Sequence, residues 1–315
     1  MIYWGINALN HGSSLAVFKD GRLMSNEFCP TDEFSSEIKF RALNWGAPDR
    51  LFWYERPWVK KARQLYAGQY RRAFDLSVLP RVYMNNIQIR YAPITYTSHH
   101  ASHAAAGYYT SNFNDAAVVV LDAIGEFECA SIWQGQGDTL KKIWSRSYPN
   151  SIGLFYSAFT QLLGLTPIKD EYQLQQFAAK GDPTRYQDRI QSYFDGIIEL
   201  NYNFHRGVEH WDAPIKTDQD RYDIAAAVQR VFEEQIQNIM TEAQILTKSS
   251  NLVYMGGCAM NSQANKLFEK NWEGIWSLPN PGDPSSSIGA VLYHTKDRIK
   301  WEGSLAKHIK IKYTN

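Results

Sequence analysis

The chain has 315 residues, and its 33 Lys and Arg nearly balance its 32 Asp and Glu, for a formal net charge of +1. This balance excludes a uniformly basic, nucleic-acid-coating surface, and a hydrophobic share of 44% is enough for a folded core. At roughly 150 residues per domain, the length predicts two domains or one domain with two lobes.

No membrane or secreted protein is expected from the sequence. The longest apolar run, residues 116–121, is too short to span a bilayer, and no basic region followed by an apolar stretch opens the chain. Cys29, Cys129 and Cys258 are widely spaced, which is typical of a reducing compartment and not of a disulfide framework. We therefore expect a cytoplasmic protein.

The first third of the chain predicts strands followed by helices. Apolar runs at 3–7 and 15–18 predict two strands, and Asp20-Gly21 predicts a hairpin turn into a third. Pro57 favours the start of a helix over about 58–75. After a strand near residues 94–97, Ser98 is a candidate cap for a helix that begins at His99.

From residue 116 the same order of strands and helices recurs. The β-branched run at 116–122 predicts a strand that is buried on both faces. Two α/β lobes, residues 1–114 and 115–295, are therefore expected around a cleft, with a tail over 296–315. The other predicted elements are strands at 128–133, 251–255 and 276–278, helices at 151–163 and 223–246, and helices from Met260 and Ser286.

Three of the eight histidines lie within five residues, at His99, His100 and His103. On a helix, His99 and His103 share one face, so both imidazoles can reach one metal ion. His100 points elsewhere, towards a ligand or a hydrogen-bond partner. The alternative is a helix start whose histidines are polar and solvated.

Asp283, in a tight loop after the last strand, is the candidate third ligand. Two histidines and one carboxylate are typical of non-haem Fe(II), and zinc or manganese would accept the same ligands. The alternative is that Asp283 caps the final helix.

Three further groups could act beside such a site. The Gly256-Gly257 pair between a strand and a helix allows close approach of a charged ligand, as does the turn from Asp122 to Glu126. His11, at the first hairpin turn, could serve as a general base if it faces the cleft. Each of these features also has a plainer reading, as an ordinary turn or a surface histidine.

Together, these motifs resemble the nodulation-type O-carbamoyltransferases. They occur in the family's order from about residue 2 to about 293, and their conjunction is specific where each alone is not. The motifs are Asn10-His11, Phe52 to Pro57, His99-His100 with His103-Ala104-Ala105, Asp122 to Glu126, Ser151 to Ser157, Asp223 to Ala226, Gly256 to Ser262 and Pro281-Gly282-Asp283.

The resemblance implies the two-lobed, actin-like ATPase architecture of RNase H-like repeats, which the tRNA threonylcarbamoyl transferases share. It implies transfer of a carbamoyl group from carbamoyl adenylate, made from carbamoyl phosphate and ATP, to an acceptor hydroxyl. His99, His103 and Asp283 would hold the metal, commonly iron, and His11 and His100 are the catalytic candidates. The implied nucleotide-binding positions are Asp122, Gly125, Glu126, Gly153, Gly256, Gly257 and Asn261.

The sequence departs from the family pattern in three places. The family's YrdC-like domain, which makes carbamoyl adenylate, does not follow the last helix, so a separate adenylating partner is expected. Gln173 stands where the family has a lysine, and Gly12 stands where an aspartate usually follows the histidine.

Two other functions stay open at this stage: a metal-dependent hydrolase, and a degenerate nucleotide-binding module that regulates a partner. The acceptor is expected to be a small molecule or a nucleoside-type hydroxyl. The sequence does not predict the oligomeric state.

Overall fold

The computed structural model describes residues 1–34, 36–89 and 92–301, so residues 302–315 of the predicted tail lie outside the described residues. No helix in this described part is long and apolar enough to cross a membrane.

The first five strands form one mixed sheet in the order β3-β2-β1-β4-β5. The first three strands are antiparallel, and the last two run parallel to β1. Asp20 and Gly21 have φ angles of +49° and +77°, which confirms the predicted Asp-Gly hairpin turn. The strands are β1 (Ile2–Asn10), β2 (Gly12–Lys19), β3 (Arg22–Cys29), β4 (Arg50–Trp53) and β5 (Ile94–Tyr96).

Within the described residues, the segment from residue 36 to residue 110 forms five α-helices. The single helix expected over 58–75 is wrong, because the chain turns at Gly68, with φ of +73°, and forms two shorter helices. The helices are α1 (Ser36–Leu43), α2 (Pro57–Tyr66), α3 (Tyr70–Phe74), α4 (Pro80–Asn86) and α5 (His99–Thr110).

The second large sheet repeats the plan, with the order β12-β11-β6-β7-β8. Again three antiparallel strands come first, and two later strands run parallel to the first of them. The strands are β6 (Asp115–Gly125), β7 (Glu128–Gln136), β8 (Thr139–Ser147), β11 (Asn251–Met255) and β12 (Gly274–Trp276), with a separate β9 (Phe194–Gly196) and β10 (Glu199–Leu200) ribbon.

The described residues from 152 to 295 form six further α-helices; the last of them packs against β1, β2 and β4 of the first sheet, whereas α5 packs against β6, β7, β8 and β11 of the second. The long helix α9 begins five residues before Asp223, because Thr217 and Asp220 form a capping box there. Asp223 is therefore not the predicted cap, and it accepts a hydrogen bond from the backbone of Asp182. The helices are α6 (Ile152–Leu162), α7 (Glu171–Ala178), α8 (Gln187–Gln191), α9 (Asp218–Thr247), α10 (Ser262–Phe268) and α11 (Ser286–Thr295).

Strand β6 lies between two apolar cores, as its uninterrupted apolar run predicts. Val119 packs in one core with α6 and α9, whereas Val118 and Val120 pack in the other with α5 and α11. The repeated strand order confirms the two-lobed, actin-like α/β architecture.

The two lobes meet where α5 packs against α11. A Cβ added to Gly289 of α11 would lie 1.7 Å from the carbonyl oxygen of Ser102 in α5, so only glycine allows this approach. Strand β1 meets α11 equally closely, since a Cβ at Gly5 would lie 1.8 Å from the carbonyl oxygen of Ser287. Backbone contact thus fixes α5, α11 and β1 relative to one another.

We expect Gly289→Ala to lower the free energy of unfolding in urea by about 3 kcal/mol, the upper end of the usual overpacking cost, because the clash is with backbone. Gly196→Ala is the control, since its Cβ would come no closer than 3.3 Å, to the exposed carboxylate of Glu199. Equal stability of the two variants would contradict the close helix contact.

Candidate metal centre between the lobes

The first turn of α5 brings two imidazoles together. His99 and His103 lie four residues apart on one face, and both are buried. Their Nε2 atoms are 3.0 Å apart. Two ring nitrogens at this distance need a proton or a cation between them, because two lone pairs would repel.

Two carboxylates complete the cluster from the second half of the chain. Asp122 lies near the end of β6, where pairing with β7 is interrupted, and Asp283 begins a short 3₁₀ turn before α11. Asp122 Oδ2 lies 2.9 Å from His99 Nε2, and Asp283 Oδ1 lies 3.3 Å from it. The same two oxygens lie 3.6 Å and 3.4 Å from His103 Nε2.

The donor set and its spacing fit a divalent transition-metal ion. The four ligand atoms lie within 4.8 Å of one another. A tetrahedral ion with ligands at about 2.1 Å would set them about 3.4 Å apart, close to the observed nitrogen–oxygen separations. The carboxylates are 15% and 13% exposed, so the cluster is open on their side. Iron(II), zinc and manganese(II) all accept these ligands.

Mutual electrostatics keep the four side chains of the cluster charged. Burial alone would lower the pKa of His99, but the neighbouring Asp283 and Asp122 carboxylates raise it well above its ordinary value. Burial alone would likewise raise the pKa of Asp122, but hydrogen bonds from His103 and His99 hold it well below its ordinary value. A cation bound among these ligands would replace the shared protons and balance the negative charge of the carboxylates in their place.

The first lobe also contacts the cluster, through β1. Asn10 Nδ2 donates to Asp283 Oδ2 at 3.0 Å, and Asn7 Nδ2 donates to the backbone carbonyl of Asp283 at 3.1 Å. These bonds point the Asp283 carboxylate towards the imidazoles. The N-cap of the short turn is residue 282, and no side chain caps the turn. The expected alternative, Asp283 as a simple helix cap, does not describe this geometry.

His100 and Gly125 lie behind the two imidazoles. His100 is buried, its Nδ1 lies 2.7 Å from Ser131 Oγ, and burial lowers its pKa well below the ordinary value. A Cβ at Gly125 would lie 2.3 Å from His99 Cδ2 and 2.9 Å from His100 Cδ2. Gly125 therefore leaves room for the imidazoles, and His100 supports the helix start from inside the core.

His11 is exposed at the turn between β1 and β2. Within the described residues, no hydrogen bond or ion pair joins it to the cluster, although its neighbour Asn10 contacts Asp283. The aspartate that the family pattern has at position 12 has a counterpart in space: the Asp32 carboxylate accepts from the backbone N–H of Gly12 at 3.2 Å. A carboxylate thus lies at this turn although the sequence has glycine.

Three of the predicted nucleotide-binding glycines surround the Asp122-Ala123 turn. A Cβ at Gly153 would lie 2.8 Å from the backbone of Ala123, and one at Gly256 would lie 2.2 Å from the carbonyl oxygen of Leu121. Gly257 is more open, since its Cβ would meet only Asp122 Oδ1, at 3.1 Å. The glycines bring α6 and the β11 turn against the turn that carries Asp122.

The structure gives Glu126 and Asn261 protein partners where a nucleotide was expected. The Glu126 carboxylate is buried and binds both the guanidinium and the backbone N–H of Arg56, at the start of α2. Asn261 caps α10 and exchanges two amide hydrogen bonds with Gln229. Glu126 therefore joins the two lobes, and Asn261 holds the β11–α10 turn. Gln173 donates to Asp170 at 2.8 Å.

Four residues of the site were not predicted in the roles that the structure gives them. Asp122 was expected beside a nucleotide and is the fourth side chain of the cluster. The ring of Tyr54 lies 5.3 Å from that of His99, and burial raises its pKa well above the ordinary value, so its hydroxyl keeps its proton. Asn7 and Asn10 orient Asp283. The signal available in the sequence was their shared position, within three residues of the end of a strand.

Comparison with known sequences finds a family model described as "Carbamoyltransferase N-terminus", which matches residues 52–292. An uncharacterized protein of Synechocystis sp. is 28% identical over 91% of this chain and 56% of its own length. Nodulation protein NolO of Bradyrhizobium diazoefficiens is 25% identical over 62% of this chain and 37% of its own length. The chain thus spans about half of the first relative and less of the second.

A solved structure with a similar course of the chain is a putative N-acetylmannosamine kinase from Listeria monocytogenes. It is 9% identical, covers 95% of this chain and 100% of its own, and superposes with a TM-score of 0.48.

We expect the purified protein to bind a transition metal. His99→Ala, Asp122→Ala or Asp283→Ala should each lower the metal affinity by at least about a hundredfold, because even the loss of a residue that only supports a ligand costs up to about that much. Elemental analysis and titration with Fe(II), Zn²⁺ and Mn²⁺ would measure this. His210→Ala, which removes an exposed imidazole, is the control. Full metal occupancy in the three ligand variants would contradict the assignment.

Proposed function

Because the chain belongs to the carbamoyltransferase N-terminus family, we propose that it transfers a carbamoyl group from carbamoyl adenylate to the hydroxyl of an acceptor, with a metal ion at the His99, His103, Asp122 and Asp283 cluster. The observation that carries the proposal is the cluster itself, in which both lobes contribute to one charged, partly open group of ligands.

The reaction needs help at two points. A carbamoyl carbonyl is a poor electrophile because its nitrogen donates into it, and adenylation supplies a good leaving group. The acceptor oxygen bonds to the carbamoyl carbon, the bond from that carbon to the phosphate oxygen breaks, and AMP leaves. A bound ion at the cluster would act as a Lewis acid on carbonyl or phosphate oxygens.

The chain's own residues would hold and orient the reactants. We assign the phosphate of the adenylate to the open backbone at Gly257, next to Asp122, since a small residue there admits close approach. Asn10 holds Asp283 in place, and the protonated Tyr54 adds apolar cover beside His99. His11, exposed on the turn that carries Asn10, is our candidate to take the acceptor's proton.

The proposal includes ATP and carbamoyl phosphate as the source of the adenylate, and a separate YrdC-like protein to form it. The acceptor is a small-molecule or nucleoside-type hydroxyl, and the reaction is placed in the cytoplasm.

We expect mass spectrometry to detect carbamoylated acceptor when the metal-loaded chain is incubated with a panel of hydroxyl compounds, ATP, carbamoyl phosphate and a YrdC-like protein. His99→Ala and Asp122→Asn should lower the rate by roughly a hundredfold or more, the scale of one lost electrostatic stabiliser. His11→Ala should lose about 10²-fold or more. His210→Ala should match the wild type. AMP release without any acceptor would instead indicate a hydrolase, and nucleotide binding without turnover a regulatory module.

A second expectation concerns activation. Carbamoyl phosphate and ATP alone should give little product with this chain, and adding the YrdC-like protein should restore turnover. Efficient transfer by the isolated chain would contradict the need for a separate partner.

A further inference from the structure

Helix α2 has an inverted distribution of polar and apolar side chains. Its buried residues include Lys61, Arg63 and Gln64, whereas Trp58 is 64% exposed and Tyr66 is 70% exposed. Trp58, Ala62, Leu65 and Tyr66 follow the spacing of one helical face, and all four are exposed. An ordinary surface helix buries its apolar face and exposes its charges, so this helix is built to present an apolar face outwards.

The buried charges of α2 are fully engaged inside the protein. Lys61 Nζ donates to the carbonyl oxygens of Arg72 and Asp75, at 2.5 Å and 2.6 Å. Arg63 donates to the carbonyl oxygen of Glu126 at 3.1 Å and to the Gln69 side chain at 2.8 Å. These bonds fix the rotation of α2 about its axis, so the apolar face cannot turn inwards.

Further exposed apolar side chains lie on α3, which packs against α2, and on the segment that follows it. Tyr70 and Phe74 lie one helical turn apart and are 64% and 71% exposed. Of the 19 large hydrophobic side chains that are exposed in the described residues, seven lie between residues 58 and 78. We define the α2–α3 face as Trp58, Leu65, Tyr66, Tyr70, Phe74 and Leu76.

The size of this surface is typical of an interface. A fully buried aromatic side chain hides roughly 150–250 Å². Because the four aromatic residues are 64–71% exposed, they alone offer on the order of 500 Å² that a partner could cover. With the aliphatic residues the total approaches the roughly 800 Å² that each partner buries in a standard interface.

The charges on and around the face suit a second copy of the same chain. Arg56 and Lys60 are already paired with Glu126 and Glu55, so α2 brings no unpaired charge into an interface. The exposed α3 side chains Arg71 and Arg72 and the exposed Asp75 form no ion pair within the described residues. About a twofold axis the arginines of one copy can meet Asp75 of the other, and a net charge of +1 gives little repulsion.

We propose that the α2–α3 face is the interface of a symmetric homodimer. The same side chains from both copies would pack together about the twofold axis, with Trp58 and Tyr66 as the central aromatic anchors. This proposal does not depend on the reaction or on the metal.

Sedimentation velocity over about 1–100 µM, a range that spans interfaces of ordinary strength, tests the proposal. The wild-type chain should dimerise, and Trp58→Ala or Tyr66→Ala should each raise the dissociation constant by at least roughly thirtyfold, as expected for an anchor lost from both subunits at once. Phe40→Ala, which removes an equally exposed aromatic side chain from α1, should leave it unchanged. Circular dichroism would check that each variant is folded.

A charge reversal tests the symmetry. Asp75→Arg should weaken the dimer, and combining it with Arg71→Asp and Arg72→Asp should restore it. A wild-type monomer throughout the range, or a dimer insensitive to both Trp58→Ala and Tyr66→Ala, would overturn the proposal. The homodimer proposal would also be overturned if the chain were a monomer that binds a single-stranded oligonucleotide or the YrdC-like protein through these side chains. The α2–α3 face would then be the binding site for that partner.

Discussion

Charge compensation among two imidazoles and two carboxylates is the interaction on which the site depends. His99 and His103 come from one helix, but Asp122 and Asp283 come from segments far away in the sequence. Buried groups of this kind are stable only when their charges are matched, so the cluster constrains the β6 turn, the start of α5 and the approach to α11. Gly125, Gly256 and Gly289 follow from the same constraint, because each removes a side chain where segments must approach closely.

The sequence was most informative where the signal is local. The Asp20-Gly21 turn, the doubly buried strand β6 and the His99–His103 pair depend on neighbours in the chain, and all three appear as predicted. The start of α9 was predicted wrongly because several acidic residues lie near its N-terminus and each is a possible cap. The capping box at Thr217 shows where the helix begins, and it is recognised only from the folded geometry.

Sequence patterns could not predict the role of Asp122. An acid after a buried strand fits a nucleotide site and a metal site equally well, and only the folded arrangement shows which groups it meets. The partner of Glu126 is likewise a long-range property, since Arg56 lies 70 residues away. Such contacts depend on how the two sheets are placed, which no short-range pattern encodes. The inverted face of α2 was hidden for a similar reason: Lys61 and Arg63 are typical surface residues until their buried carbonyl partners are known.

The interlocked backbones of α5 and α11 also limit how the molecule can move. With Gly289 seated against the carbonyl of Ser102, and Gly5 against that of Ser287, sliding one helix along the other would force backbone atoms into each other. Rotation of one lobe relative to the other about this contact, in contrast, leaves the packing of the two helices intact. Arg56 with Glu126 and Gln69 with His205 also join the two lobes, so a rotation that separates the lobes breaks these side-chain contacts.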